Sequence, residues 1–133
     1  MLDQLGLVLA IRQHCERFER ETGIETKLAT ASELAVPAAA EVTVLRVVQE
    51  ALVNVQKHAR ASRVVVRLER QGDYLRVGVT DDGKGLLLSA NGVGVGTGLL
   101  SMRERAELLG GTLNVENRPE GGTDLLARIP AKD

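Results

Sequence analysis

The sequence predicts an α+β fold, a two-layer sandwich in which a mixed, mostly antiparallel β-sheet is covered by helices on one face. Segments with the two-residue alternation of strands occur as neighbouring pairs, and segments with helical periodicity separate those pairs. Adjacent antiparallel strands with helices to one side pack in this way. The chain has 133 residues, of which 44% are hydrophobic, which is enough for one such domain.

The predicted elements follow one another in a simple order. They are a helix over 1–22, a strand over 24–30, a helix over 37–59, strands over 63–69 and 74–80, a helix over 98–109, and strands over 113–117 and 124–129. The strands on either side of Gly72 are joined by a short turn, which favours a hairpin. Gly110 and Gly111 follow the last helix as a stop signal.

The composition excludes several classes of site. The chain has 17 Lys and Arg residues and 18 Asp and Glu residues, so it lacks the basic excess that binding to nucleic-acid phosphates needs. Phe18 and Tyr74 are the only aromatic residues, too few for a platform on which bases stack. Cys15 is the only cysteine and His14 and His58 are the only histidines, which argues against a disulfide or a zinc site. No apolar run is long enough to span a membrane, and the N-terminus does not have the pattern of a secretory leader.

The second predicted helix has two different faces. At about 100° per residue, one stripe is apolar and should lie on the sheet; it contains Leu45, Val48, Leu52 and Val55. A polar ridge on roughly the opposite side contains Glu50, Asn54, Lys57 and His58. A solvated helix face would have this pattern. The same carboxylate and carboxamide oxygens are also ligands that Mg²⁺ accepts, and the lysine could meet a phosphate as a point charge.

Three glycine-containing segments are candidate parts of a binding site. Asp81 ends a predicted strand just before Gly83 and Gly85, where its carboxylate could accept a hydrogen bond from an exocyclic amine such as that of adenine. Asp-Gly is also a common turn pair, so a plain turn is an equally simple interpretation. The third segment, residues 121–123, is by itself most simply a hairpin turn.

The second glycine segment, with Gly94, Gly96 and Gly98, precedes a predicted helix that begins near Gly98. Backbone N–H groups at the start of a helix, free of side chains, can bind an anion. The spacing matches neither the dinucleotide-binding pattern GxGxxG nor a P-loop, which ends in Lys-Ser or Lys-Thr. The segment alone is therefore weak support for a phosphate site.

The order of these segments closely resembles the GHKL ATPase superfamily. Residues 50–59 are similar to its N box, 81–85 and 94–99 to its two glycine boxes, and 121–123 to its terminal Gly-Thr box. Residues 98–106, GLLSMRERA, are similar to the GLxxMRERA stretch of nitrate-sensor-like sensor histidine kinases. The resemblance covers about residues 1–130, and it implies the Bergerat ATP-binding fold.

On the phosphate side, the resemblance implies roles for residues of the second helix. Asn54 would coordinate Mg²⁺, and Glu50 would assist as a metal ligand or as a general base. Lys57 and His58 would lie near the phosphates of ATP.

The glycine boxes receive the remaining roles that the resemblance implies. Asp81 would accept the hydrogen bond of the adenine amine, with Thr123 as its partner at that end of the site. Gly83 and Gly85 would let the chain pass close to the base, and Gly94, Gly96, Gly98 and Leu99 would form the phosphate-side lid and the cap of the next helix.

The resemblance also implies a larger protein. Residues 1–22 would be a connector helix from a missing dimerisation and phosphoacceptor domain, and residues 23–133 would be the ATP-binding catalytic domain. The parent would be a homodimeric, cytoplasmic protein histidine kinase that passes phosphate from ATP to a histidine and on to an aspartate of a response regulator. His14 lies in the connector and is not interpreted as the phosphorylated histidine. Whether the parent has a membrane anchor is left open.

The family assignment has one departure from the usual motif pattern and one alternative interpretation. Residues 86–95 contain no phenylalanine, so the lid motif of many other histidine kinases is absent. An anti-sigma-type serine kinase, or a degenerate nucleotide-binding interaction module of the same superfamily, is the alternative interpretation. The connector-like start and the MRERA stretch favour the histidine kinase.

Overall fold

A computed structural model describes residues 4–31, 34, 36–85 and 98–131. The elements are α1 (Gln4–Thr22), β1 (Glu25–Thr30), α2 (Ala38–Asn54), β2 (Arg63–Gln71), β3 (Tyr74–Asp81), α3 (Leu99–Leu108), β4 (Thr112–Asn117) and β5 (Thr123–Pro130). The strands form one sheet in the order β1-β2-β3-β5-β4. The helices pack on one face of this sheet, which confirms the predicted two-layer sandwich.

The sheet is mixed, as predicted. β1 runs parallel to β2, whereas β2 with β3, β3 with β5, and β5 with β4 are antiparallel. Along β3 the buried positions alternate with partly exposed ones, because successive side chains point to opposite faces of a sheet. Leu75, Val77 and Val79 point into the core, and Asp81 continues the same series at the end of the strand. The alternation therefore directs a carboxylate toward the helices.

α2 lies across the sheet and changes geometry before it ends. Val48, Leu52 and Val55 are buried as predicted, while Leu45 is only partly buried. After Asn54 the helix continues as a π-helical turn over Val55–Ala59, and Arg60 then adopts a left-handed backbone conformation with φ of 50°. A π-helical turn has a different angular step from an α-helix, so the periodicity from which the polar ridge was predicted ends at Asn54.

The boundaries of α3 depend on glycine. Gly98 precedes the helix with φ of 78°, and Gly110 follows it with φ of 85°, conformations that other residues rarely adopt. At the carboxyl end, Gly110 N–H donates to the Glu107 carbonyl at 2.9 Å and Gly111 N–H to the Ala106 carbonyl at 2.8 Å. This is a Schellman motif, and it confirms the predicted stop.

α1 contributes to the same hydrophobic core as α2 and the sheet. Leu7 and Ile11 are completely buried, and Val8, Cys15 and Phe18 are nearly so. These positions repeat at helical spacing, so one face of α1 is apolar and packed. Within the described parts of the chain, no helix has the length and apolar character needed to span a membrane.

The buried thiol of Cys15 is expected to be unreactive in the folded protein. Burial raises the pKa of Cys15 to about 11, and only 3% of the residue is exposed. At pH 8 a thiol with such a pKa is about 0.1% thiolate, the reactive form. We expect an aromatic disulfide reagent to modify the native protein at least about 100-fold more slowly than the protein in denaturant. Equal rates in the two conditions would contradict this, and a slow native rate makes Cys15 a probe of unfolding in a chain without tryptophan.

Candidate functional site

A cleft opens between the carboxyl end of α2, the start of α3 and the ends of strands β3, β4 and β5. Its walls consist of Ala51, Asn54, Val55, Val79, Asp81, Leu99, Val115, Thr123 and Leu125. Most of these side chains are apolar, and the three polar ones are Asn54, Asp81 and Thr123. A mostly apolar cleft with a few converging polar groups is the usual form of a small-molecule site.

Two polar groups in the cleft are buried without a hydrogen-bond partner. In the part of the chain that the structure describes, these atoms are Asn54 Nδ2 and Thr123 Oγ1. Both residues are almost inaccessible to solvent, with 6% of Asn54 and 5% of Thr123 exposed. A buried donor without a partner destabilises the folded state, and a bound ligand with suitable acceptors would remove that cost. The two atoms therefore indicate a polar ligand.

Asp81 provides the acceptor in this cleft. Only 4% of the residue is exposed, and its Oδ1 atom accepts a hydrogen bond of 2.8 Å from the Gly83 N–H. Burial raises the pKa of Asp81 above the ordinary value of 3.8, opposed by the N–H groups of Gly83 and Thr123 and by the charge of Arg118. The negative charge of Asp82 adds to the increase. A buried carboxylate in the same cleft as the unpartnered Thr123 hydroxyl fits a heterocycle that carries both an amine and a ring-nitrogen acceptor.

The raised pKa of Asp81 has a measurable consequence. Below this pKa the carboxyl group is protonated and less able to accept a hydrogen bond, so ligand affinity should fall as the pH falls through it. Because the shift is upward, that loss begins at a higher pH than the ordinary aspartate value of 3.8. A titration of the carboxyl ¹³C chemical shift of Asp81 measures the pKa directly. A midpoint at or below 3.8 would show that burial does not dominate at this site.

Glycines allow the strand ends to approach one another closely. Gly122 has φ of 97°, and a Cβ atom on it would overlap the carbonyl oxygen of Asp81. Gly85 has φ of 84°, and the side-chain oxygen of Asn117 lies 2.7 Å from where its Cβ would be. Gly122 is therefore required by its close approach to backbone as well as by its conformation, whereas Gly85 is required mainly by its positive φ, because the Asn117 side chain can move.

A second groove adjoins the cleft along α2 and α3. It is lined by Arg46, Glu50, Gly98, Ser101, Met102 and Arg105. The Oε2 atom of Glu50 lies 3.3 Å from the position of a Cβ on Gly98, so the carboxylate faces the start of α3. Glu50 is exposed and lies one helical turn before Asn54, which is buried.

The donor set along α2 suits one type of metal site. Among the described residues, no group of three or more His, Cys, Asp or Glu side chains could hold a metal ion. Glu50 has one carboxylate and Asn54 has one amide oxygen, so each could supply no more than one oxygen-bearing group to a metal ion. Mg²⁺ is commonly held by one or two protein oxygens together with substrate phosphates and water, so these residues fit a magnesium ion that arrives with a phosphorylated ligand.

The structure brings together four of the residues predicted from the sequence: Asn54, Asp81, Leu99 and Thr123 line the same cleft. Glu50 and Gly98 meet in the adjoining groove. Lys57 is exposed on the π-helical turn. The side chain of His58 and both Gly94 and Gly96 lie outside the described residues.

Sequence reasoning missed Arg118 and the apolar walls of the cleft. Val79, Val115 and Leu125 come from three strands, and nothing in the sequence distinguishes them from other core residues. Arg118 donates through Nη1 to the Asp81 carbonyl at 3.0 Å. Its only signal in the sequence is its place just before a turn with Pro119, which is too general to identify a site.

The profile described as "Histidine kinase-, DNA gyrase B-, and HSP90-like ATPase" matches residues 39–133. The signal transduction histidine-protein kinase/phosphatase DegS of Brevibacillus brevis is 37% identical over 131 residues, covering 97% of this chain and 33% of that protein. The oxygen sensor histidine kinase NreB of Staphylococcus carnosus is 37% identical over 133 residues, covering 99% of this chain and 38% of that protein. The chain thus spans between 33% and 38% of the length of these relatives.

Solved structures have the same fold. The histidine kinase domain of a blue-light activated histidine kinase from Erythrobacter litoralis superposes with a TM-score of 0.78 at 25% identity, covering 98% of this chain and 64% of that one. A nucleotide-free catalytic domain of the histidine kinase ThkA gives a TM-score of 0.78 at 21% identity, covering 95% of this chain and 90% of that one. The second likeness shows the fold alone.

Proposed function

Because this chain belongs to the histidine kinase-, DNA gyrase B- and HSP90-like ATPases, we propose that it binds ATP in the cleft and donates the γ-phosphate to a protein histidine. Membership of an ATPase family implies the use of ATP. The observation that supports this binding site most directly is the convergence of the Asp81 carboxylate with two buried, unpartnered donors, Asn54 Nδ2 and Thr123 Oγ1. The relatives named as histidine kinases support the choice of acceptor.

At the adenine end, Asp81 accepts a hydrogen bond from the exocyclic amine of the base. Thr123 Oγ1 donates to a ring nitrogen, which removes the cost of leaving that hydroxyl unpaired. Val79, Val115 and Leu125 contact the faces of the base and exclude water. Gly83 and Gly85 let the backbone pass close to its edge.

At the phosphate end, Asn54 and Glu50 hold the metal through their side-chain oxygens. A Mg²⁺ ion held there together with ATP would supply positive charge to neutralise the phosphates. In the alternative role for Glu50, its carboxylate is not bound to the metal and accepts a proton from the incoming nucleophile as a general base. Lys57 and His58 lie near the phosphates in this proposal.

The start of α3 completes the phosphate end. Gly98 and Leu99 cap the helix and present its backbone N–H groups, whose partial positive charge favours an anion. Gly94 and Gly96, which lie outside the described residues, are assigned to the preceding lid on the family resemblance alone.

The acceptor histidine belongs to a dimerisation domain of the parent kinase, which forms a homodimer. In this proposal residues 1–22 connect that domain to the catalytic domain at 23–133. The phosphate then passes to an aspartate of a response regulator. The chain binds no nucleic acid, and the parent kinase acts from the cytoplasm.

The test of the proposal is phosphotransfer in trans. The protein is mixed with γ-labelled ATP, Mg²⁺ and the histidine-bearing dimerisation domain of one of its relatives. We expect label on the added domain, lost in acid and retained in base, as for phosphohistidine, and no label on the chain incubated alone. Label that survives acid would identify a hydroxyl acceptor and support the anti-sigma-type serine kinase instead.

Asn54 is expected to carry the metal dependence of ATP binding. In Asn54→Ala, the affinity for labelled ATP in the presence of Mg²⁺ should fall by about 10-fold or more, because the buried metal ligand is gone. The affinity measured in EDTA should change much less. Gln49→Ala is the matched control, since Gln49 lies on the same helix but lines the groove toward α1. Equal losses with and without Mg²⁺ would remove the metal role from Asn54.

A further inference from the structure

The turn between β4 and β5 lies across the segment that carries Asp81. Its residues contact that segment at several places. The Asn117 side chain covers Gly85, a Cβ on Gly121 would lie 3.5 Å from the Gly83 carbonyl oxygen, and Gly122 packs directly on the Asp81 carbonyl. The turn therefore determines where the segment over 81–85 can lie.

Arg118 is the side chain that ties this turn to Asp81. Its Nη1 atom donates to the Asp81 carbonyl oxygen at 3.0 Å, and its Nε atom donates to Glu120 Oε1 at 2.9 Å. Its own backbone N–H donates to the Gly122 carbonyl at 2.8 Å. Only 28% of the side chain is exposed, compared with 67% for Arg17 in its ion pair. Arg118 is thus held from both ends inside the turn.

The Asp81 carbonyl needs a partner at this point of the sheet. The pairing of β3 with β5 ends at Thr80 and Asp124, one residue before Asp81. On the other side of β3, the next backbone bond runs from Asp82 N–H to the Arg63 carbonyl at 3.2 Å. The Asp81 carbonyl therefore points toward β5 beyond the end of the ladder, where the guanidinium takes the place of a strand partner.

The bond to this carbonyl also bears on the carboxylate of the same residue. The peptide that Arg118 holds begins at the Cα atom of Asp81, so a displacement of this peptide would shift that Cα atom and, with it, the position of the carboxylate. A hydrogen bond weakens steeply when the donor and acceptor are misaligned, so a small rotation here changes how well the carboxylate meets an amine. A planar guanidinium binds two acceptors in a fixed geometry, which an ammonium does not.

We propose that Arg118 is a positioning residue for base selectivity: by holding the Asp81 peptide and Glu120 together, it aims the Asp81 carboxylate at the 6-amino group of the purine. This inference rests on the proposed function, because it takes adenine as the ligand of the cleft. Arg118 itself does not touch the base. Its contribution should therefore appear in the preference for a 6-amino purine, beyond any effect on overall affinity.

The experiment compares two nucleotides that differ at this position. Unlabelled ATP and inosine triphosphate, which has an oxygen in place of the 6-amino group, each displace a fluorescent ATP analogue. The wild type should prefer ATP by about 10- to 100-fold, the value of a hydrogen bond to a charged group. In Arg118→Met, we expect that preference to fall about 5-fold or more because the carboxylate is no longer aligned. The preference is a ratio of affinities, so a smaller folded fraction does not change it.

Two further variants make the result specific. Arg118→Lys keeps the charge and one possible bond to the Asp81 carbonyl, and it should recover part of the lost preference. Arg76→Met is the matched control, since Arg76 forms an ion pair with Glu69 at 3.8 Å and removal of that guanidinium should leave the preference unchanged. If Arg118→Met does not fold, Arg118→Lys decides the question through its own reduced preference.

The outcomes separate this inference from the function on which it rests. A wild type that binds neither nucleotide overturns both. If the wild type prefers ATP and Arg118→Met keeps the full preference, only the role of Arg118 is overturned. If Arg118→Met does not fold, an Arg118→Lys variant that keeps the full preference leads to the same conclusion. An equal loss of affinity for both nucleotides would show that Arg118 supports the fold of the cleft without aiming Asp81.

Discussion

Asp81→Asn is expected to abolish measurable ATP binding, with a loss of about 100-fold in affinity. The Oδ1 atom of Asp81 already accepts a hydrogen bond of 2.8 Å from the Gly83 N–H. In the asparagine, the amide oxygen would keep that bond, so the NH₂ group would occupy the position of the other carboxylate oxygen. A donor would then face the amine of adenine, which is also a donor. The measurement is a titration of a fluorescent ATP analogue with Mg²⁺.

The neighbouring residue provides the control for this substitution. Asp82 carries the same charge, but its carboxylate accepts hydrogen bonds from Ser62 N–H at 2.9 Å, Ser62 Oγ at 2.6 Å and Arg63 N–H at 3.0 Å. The hydrogen bond from the Ser62 hydroxyl is the main cause that lowers the pKa of Asp82. Asp82→Asn should therefore reduce stability at neutral pH while leaving ATP affinity within about 2-fold of wild type.

The two variants should respond in opposite ways. Asp81→Asn loses binding and keeps its stability, whereas Asp82→Asn keeps binding and becomes less stable. A lowered folded-state pKa stabilises the protein above the ordinary aspartate value, so the Asp82 contribution should be lost in wild type as the pH falls below 3.8. If both variants lose ATP binding equally, the carboxylate of Asp81 has no special role at the base.

Gly122→Ala is expected to have the largest effect on stability, with a loss of about 3 kcal/mol or more in the free energy of unfolding. The added Cβ atom would overlap the Asp81 carbonyl oxygen, and the backbone at φ of 97° is one that alanine rarely adopts. Neither strand end can move away easily, because Arg118 holds the turn to the same carbonyl. Urea denaturation followed by far-UV circular dichroism measures the loss.

Gly72→Ala separates the two causes of that loss. Gly72 also has a positive φ, of 61°, but no atom lies within 4 Å of the position of its Cβ. Its substitution should therefore cost only the backbone strain, about 1 kcal/mol. If the two alanine variants were equally stable, the close approach of Gly122 to Asp81 would be energetically unimportant.

The fold was largely predictable because its periodicities are clear. Every strand and helix expected from the sequence exists, and the Gly110-Gly111 stop has the predicted geometry. The end of α2 was not predictable, since five residues of π-helix have no periodicity that separates them from an α-helix. The parallel pairing of β1 with β2 is likewise a property of the assembled sheet that no local pattern encodes.

The site was predictable in its members and not in its geometry. Asn54 was expected on a polar ridge away from the apolar stripe, and the structure shows it buried in the cleft. Helical periodicity treats any polar residue as solvent-facing, whereas a binding site places polar groups where a ligand replaces water. Arg118 was missed because its partner is a backbone carbonyl 37 residues earlier in the chain. Neither residue type indicates such a long-range contact in the sequence.

The packing of α1 determines where the chain can be truncated without loss of its hydrophobic core. Leu7 and Ile11 are completely buried, and burial of each such side chain is worth about 1.5–3 kcal/mol. The proposed boundary at residue 23 therefore separates the proposed connector from the proposed catalytic domain, although both belong to one hydrophobic core. Truncation at residue 23 would remove part of that core. Because α1 and α2 share that core, a rotation imposed on α1 from outside would also displace α2, the helix that carries Asn54. If the proposed function holds, α1 is therefore linked to the nucleotide cleft through the core that it shares with α2.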